Sequence, residues 1–185
     1  MEKVNWYKKS QFNSGFDKIT LNSYKKLLSN LLQEESEVPE YIKNEIPENI
    51  ASDPEINELL NIHVKIDSNG TKQWYMNGQL HRRYGPALEF TGGTKKWWLN
   101  GQLHREDGPA SIYNNGTKEW YHKGELHRED GPAIENADGG RSWFINGKRH
   151  RLDGPAAIEA DGHLWWYIDN ENLSEAQFNE RTGIK

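Results

Sequence analysis

The sequence predicts a mainly β protein: an elongated antiparallel sheet of hairpin repeats, preceded by a small helical element and closed by a short capping helix. Three observations carry this. The chain has an unbroken period of 23 residues, since Trp74, Trp97, Trp120, Trp143 and Trp166 are evenly spaced, as are His81, His104, His127 and His150, and Gly85, Gly108, Gly131 and Gly154. Each period contains two dipeptides of the hairpin-turn kind, and a helical apolar stripe occurs only before the first period. A period of this length describes stacked supersecondary units, none of which can bury its apolar face alone.

Residues 1–61 read as the helical element. Tyr24, Leu27, Leu28, Leu31 and Leu32 recur at helix spacing over Ser23–Leu32, and Pro39 and Pro47 break the remainder of the segment into short pieces. A second, weaker helix is predicted from Pro39-Glu40-Tyr41-Ile42. A third begins at Asp53-Pro54-Glu55, with Asp as N-cap and Pro in the first helical position.

Residues 62–172 form the repeat array. The first turn of each unit carries Asn69-Gly70, Gly92-Gly93, Asn115-Gly116, Asp138-Gly139 or Asp161-Gly162; the second carries Asn77-Gly78, Asn100-Gly101, Lys123-Gly124 or Asn146-Gly147. Such pairs tolerate the positive φ of type I′ hairpin turns, and the six residues between them, Thr71 to Met76 in the first unit, suit one strand. The Gly-Pro pairs at Gly85-Pro86, Gly108-Pro109, Gly131-Pro132 and Gly154-Pro155 mark a bend, because proline donates no ladder hydrogen bond. Two strands per unit with that bend is the predicted geometry; a three-sided solenoid is the competing one.

Residues 173–185 depart from the pattern. Asp169-Asn170 replaces Asn-Gly, and Leu173 and Ser174 stand where His and Arg would recur. Ser174-Glu175-Ala176-Gln177-Phe178 then predicts a Ser-capped helix covering the open end of the sheet, which would otherwise recruit other strands.

Composition bounds the chemistry. Of 185 residues only 34% are apolar, while eight Trp and eight Tyr supply large buried area per residue. There is no Cys, hence no disulfide, thiolate metal site or cysteine nucleophile. No apolar run reaches the length of a membrane span and the N-terminus has no signal-type apolar core, so the expectation is a cytoplasmic protein without a membrane partner. Residues 1–61 hold 7 Lys/Arg against 11 Asp/Glu and residues 62–172 hold 14 against 15. A nearly neutral array lacks the basic field of a duplex DNA binder.

The repeated His-Arg-x-Asp group, His104, Arg105 and Asp107 for example, invites an acid–base reading. Its copying in every unit argues instead that the carboxylate takes hydrogen bonds from Arg or turn amides, since a reactive centre is normally singular. No nucleophile elbow, P-loop or zinc-protease motif occurs, so the expectation is no enzyme, no cofactor and no metal. Equivalent His residues two strand spacings apart, roughly 9–10 Å, are too far apart to share a zinc ion. The candidate binding residues are Trp98 and Tyr121 in the second aromatic column, Arg82, Arg105, Arg128 and Arg151 in the Arg column, and Tyr84, His122 and Arg149, where the pattern breaks. Aromatic and Arg columns can stack bases and clamp phosphates, so a nucleotide or single-stranded nucleic-acid module is the alternative to a protein binder.

The unit Trp97-Trp98-Leu99-Asn100-Gly101-Gln102-Leu103-His104-Arg105-Glu106-Asp107-Gly108-Pro109-Ala110 resembles a MORN-like repeat of the W-Y-x-N-G-x-L-H-R-x-D-G-P-A type, known from bacteriophages and large DNA viruses. The resemblance covers about three fifths of the chain. It implies a scaffold or binding surface, and a phage or viral protein that engages a host protein in the host cytoplasm and inhibits a defence component. The acidic N-terminal helices and the Arg and aromatic columns are the surfaces expected to make that contact.

Overall fold

The structure, a computed structural model, describes residues 21–34, 38, 43, 46 and 48–184. Two compact units divide the chain: one comprises residues 1–65 with Tyr75–Asn77, the other Ile66–Trp74 with Gly78–Lys185. The fold is mainly β, with helices before and after a long antiparallel sheet of hairpins.

In the first unit, helix α1 (Leu21–Glu34) buries Tyr24, Leu28, Leu31 and Leu32, the predicted stripe, while Leu27 at its margin is half-buried. Helix α2 (Glu48–Ala51) is a single turn. Helix α3 (Pro54–Leu60) begins as the sequence predicts: Asp53 accepts from the Glu55 and Ile56 amides at 3.1 and 3.2 Å, and Pro54 occupies the first turn, where no N–H is needed. Ile56 and Leu59 complete this core together with Val38, Ile46, Ile62 and Val64. Lys25 pairs with Glu55 and, at 3.7 Å, with Asp53, which ties α1 to the start of α3. The helix predicted from Pro39 to Ile42 lies outside the described residues.

In the second unit the sheet is built from two short strands per repeat. Leu88–Glu89, Lys95–Lys96, Ser111–Ile112, Lys118–Glu119, Ile134–Glu135, Arg141–Ser142 and Ala157–Ile158 pair in sequence order, each antiparallel to the next. One register column alternates charge, with Glu89 opposite Lys95 and Glu135 opposite both Lys118 and Arg141. Opposed charges on directly facing residues favour this register, and a slip of one residue would break them.

The six-residue strand expected in each unit is corrected for the middle repeats. Trp97, Trp120 and Trp143 interrupt it, and the residues beyond, Trp98–Leu99, Tyr121–His122 and Phe144–Ile145, form separate hairpins with Gln102–Leu103, Glu125–Leu126 and Lys148–Arg149. The cause is the division of the Trp backbone between two partners. Trp97 N–H donates to Ala110 O at 2.8 Å, in the sheet, while its carbonyl accepts from His104 N at 3.1 Å, in the hairpin. Successive hairpins are bonded as well, Gly124 N to Leu103 O at 2.8 Å and Gly147 N to Leu126 O at 2.9 Å.

The turns also divide. The second turn of each unit has the predicted I′ geometry, with Asn100 at φ 51 and Gly101 at φ 75, and Lys123 and Gly124 at 50 and 87. The first turn does not. There only the closing glycine is left-handed, as in Gly116 at φ 94, whose N–H donates to Tyr113 O at 3.0 Å. This is a three-residue loop ending in a left-handed glycine. The preceding Asn or Asp acts through its side chain instead. Asn69, Asn115, Asp138 and Asp161 accept the amide two residues on at 2.9–3.0 Å, an Asx turn.

The last repeat closes as expected. Leu164–Ile168 stays one strand and pairs onward with Glu171–Leu173. Helix α4 (Glu175–Thr182) follows, with a Ser174 and Gln177 capping box at its start and Gly183 at φ 73 as its C-cap. Phe178 is fully buried, its ring 4.7 Å from that of Trp166.

Candidate functional site

The repeated Arg is the centre of each unit's packing. The guanidinium of Arg82, Arg105, Arg128 and Arg151 lies 4.0–4.1 Å over the ring of Trp74, Trp97, Trp120 and Trp143 respectively. Each also donates through Nη1 to the carbonyl four residues on, Pro86, Pro109, Pro132 or Pro155, at 3.1–3.3 Å. In the later units Nε reaches the carboxylate two residues on, Asp107, Asp130 and Asp153, at 2.7–2.8 Å. That hydrogen bond holds those carboxyls below the usual carboxylate range.

The invariant spacing of Gly85, Gly108, Gly131 and Gly154 follows from this packing. None of the four has positive φ; a Cβ on Gly131 would meet Arg128 Cζ at 3.0 Å, and one on Gly85 would meet Arg82 Cζ at 2.9 Å. Glycine is there to let the guanidinium pass close to the backbone. The next residue but one, Ala87, Ala110, Ala133 or Ala156, is fully buried.

The repeated His joins one unit to the next. Its Nδ1 accepts the backbone N–H of the left-handed residue in the following hairpin: Asn100 to His81 at 3.0 Å, Lys123 to His104 and Asn146 to His127 at 3.1 Å, Asp169 to His150 at 3.3 Å. An acceptor Nδ1 fixes the proton of the neutral ring on Nε2. Burial, then the nearby His122, lowers the His104 pKa, with Glu106 opposing. Among the described residues no three of His, Asp and Glu are grouped to hold a metal ion.

These contacts revise the expected binding columns. Arg82, Arg105, Arg128 and Arg151 are not an open column: their side chains are mostly covered and their donors engaged, Arg82 and Arg128 also by Glu89 and Glu135 at 3.1 and 3.0 Å. Trp98 and Tyr121 are half-buried rather than exposed. Burial together with Glu119 pushes the Tyr121 phenol up to about 12.

The pattern breaks fare differently. His122 is exposed, its ring between those of His104 at 5.0 Å and His127 at 5.7 Å. Arg149 is half-buried and bridges two units, 5.7 Å from the Phe144 ring and 5.4 Å from Tyr167. It also lines a polar groove of about 380 Å³ with Asp138, Glu159 and Asp161. Tyr84 remains 55% exposed at the rim of a larger groove, about 600 Å³, between the first two repeats. Arg82, Arg83, Trp97, Arg105 and Glu106 line that groove with it.

Arg83 is the residue that sequence reasoning missed. The signal was present: the first unit reads His81-Arg82-Arg83-Tyr84, where the next two read His-Arg-Glu-Asp. The 23-residue alignment draws notice to Tyr84 but not to the charge reversal beside it. No family model matches this chain, and no curated protein matches its sequence.

Proposed function

We propose that this is a non-catalytic, MORN-like repeat protein that binds another protein, and that it acts in the cytoplasm of a host cell as a phage or viral protein restraining a defence component. The observation that supports the reading is the use of the repeated polar groups: His Nδ1, the Arg guanidinium and the Asp carboxylate are engaged in holding units together. Reactive-looking residues in that state serve architecture, and recognition falls to exposed positions outside the pattern.

The test is affinity capture from lysate of the host, with the full chain as bait. Recovery of one protein at a fixed ratio, competed by untagged chain, is the expected result. Recovery of only small molecules or nucleic acid overturns it. A second reading, a nucleotide binder, draws on the convergence of Arg82, Arg83, Arg105 and Tyr84 at one groove. It predicts that a nucleoside triphosphate raises the melting temperature and that the effect falls with salt; no shift across a nucleotide panel ends it.

A further inference from the structure

We infer that the groove between the first and second repeats is the recognition site for an acidic peptide segment of the protein partner, read by Arg83 and Tyr84. This rests on the protein-binding reading and deepens it by naming the surface and the chemistry.

The repeat supplies its own control. At the first junction the groove is lined by Arg82, Arg83 and Arg105 against the carboxylates Glu106 and Asp107. The positions one repeat later are Arg105 and Arg128 against Glu106, Asp107, Glu129 and Asp130. Replacing Glu and Asp by Arg83 and Tyr84 therefore turns a net acidic junction into a net basic one. Glu106 and Glu129, the equivalents of Arg83, have side chains 86% and 85% exposed, so this position of the repeat faces solvent and Arg83 is exposed with them.

The loss of Asp at Tyr84 also changes Arg82. Its later equivalents pair with the carboxylate two residues on, whereas Arg82 turns to Glu89 at 3.1 Å and only 11% of its side chain is exposed. The structure thus keeps the buried clamp satisfied while converting the rim. Nothing in the clamp requires a tyrosine there, since an Asp serves in three other units.

Peptide chemistry fits this rim better than phosphate chemistry. A phosphate clamp needs several uncommitted guanidinium donors, but Arg82 and Arg105 are stacked on Trp74 and Trp97 and bonded to Pro86 and Pro109 carbonyls. A base needs an open ring face, and that of Trp97 is covered by Arg105 at 4.1 Å. An exposed Arg beside an exposed Tyr is instead a pair of the residue types enriched at protein interfaces. A partner's Asp or Glu beside Arg83 gains a charge-assisted hydrogen bond that steers and orients docking.

The experiment titrates the ¹⁵N-labelled full chain with an Asp/Glu decapeptide, in parallel with a Lys decapeptide, ATP and inorganic phosphate. The comparison variant is R83E/Y84D, which gives the first unit the His-Arg-Glu-Asp sequence already carried by the second and third. We expect saturable shifts at Arg83, Tyr84 and Glu106 with the acidic peptide alone, weaker at high salt, and affinity reduced about tenfold or more in the variant, whose dispersed spectrum reports its fold. Equal binding by the variant, shifts spread over the other junctions, or tighter binding of ATP or phosphate at these residues overturns the assignment. The titration is independent of lysate capture. A silent groove overturns the assignment and leaves the binding reading intact, and a lysate without a partner overturns that reading without touching the titration.

Discussion

At the scale of single residues, burial decides which of the copied charges matter. Asp130 is 84% exposed, so its contact with Arg128 at 2.8 Å competes with water and salt, and exposed pairs contribute ~0–1 kcal/mol. Arg128 combines a ring face, the Pro132 carbonyl and Glu135 with a largely covered side chain. Urea unfolding should therefore show Asp130→Asn within about 0.5 kcal/mol of the native chain and Arg128→Ala lower by ~1–3 kcal/mol. Arg128→Lys should not restore the loss, because an ammonium cannot stack flat and donate in two directions. His104 adds a pH dependence. Its folded pKa lies below the unfolded value, so the unfolded chain binds the proton more readily; the contribution is complete above about pH 6.5 and is lost as pH falls through the depressed value. Protonation also turns Nδ1 from acceptor to donor against the Lys123 amide at 3.1 Å. The urea midpoint should fall on that acid side, and His104→Gln should flatten this part of the profile; an unchanged slope would count against the inter-repeat role of the ring.

At the scale of elements, the turns separate what was legible in the sequence from what was not. Asn-Gly pairs announced the I′ turns correctly, because two successive left-handed residues have few solutions. The same dipeptide logic misassigned the first turns, since Asn69 and Asn115 use their side chains on the amide two residues on rather than a positive φ of their own. Dipeptide identity does not distinguish these cases; the number of residues between paired strands does. The period located the Trp bend but not its consequence, because a split of one residue's N–H and C=O between two sheets leaves no mark on hydrophobic alternation. The burial of the Arg column was equally hidden, as nothing in a repeated Arg tells whether it faces a ring or water. Lys123 offers a test of the turn account: it holds φ 50 where other units use Asn. Lys123→Asn should stabilise by ~0.5–1 kcal/mol, the relief of a left-handed strain, measured as a raised urea midpoint with unchanged m. Gly131→Ala should destabilise by ~1–3 kcal/mol, because its Cβ would sit 3.0 Å from Arg128 Cζ.

At the scale of the whole molecule, the array is a set of interchangeable units held by contacts that reach only to the next unit: the His Nδ1 bond, the hairpin-to-hairpin bond and the sheet pairing. Stability in such arrays is close to a sum of unit and interface terms, and the ends differ because they have one neighbour. The capping box, Phe178 against Trp166, and the Arg181 and Glu171 pair are the devices of one end. Specific recognition then belongs to breaks in the copying, foremost the Arg83 and Tyr84 rim, whereas loss of the copied residues costs stability. The most direct measurement is urea unfolding of a chain lacking residues 108–130, which joins Asp107 to Gly131 and so restores the His-Arg-Glu-Asp-Gly-Pro-Ala sequence across the cut. If the period is architecture, this shortened chain unfolds in one cooperative transition, with a smaller m than the native chain and native-like circular dichroism. An unfolded or molten chain would contradict it.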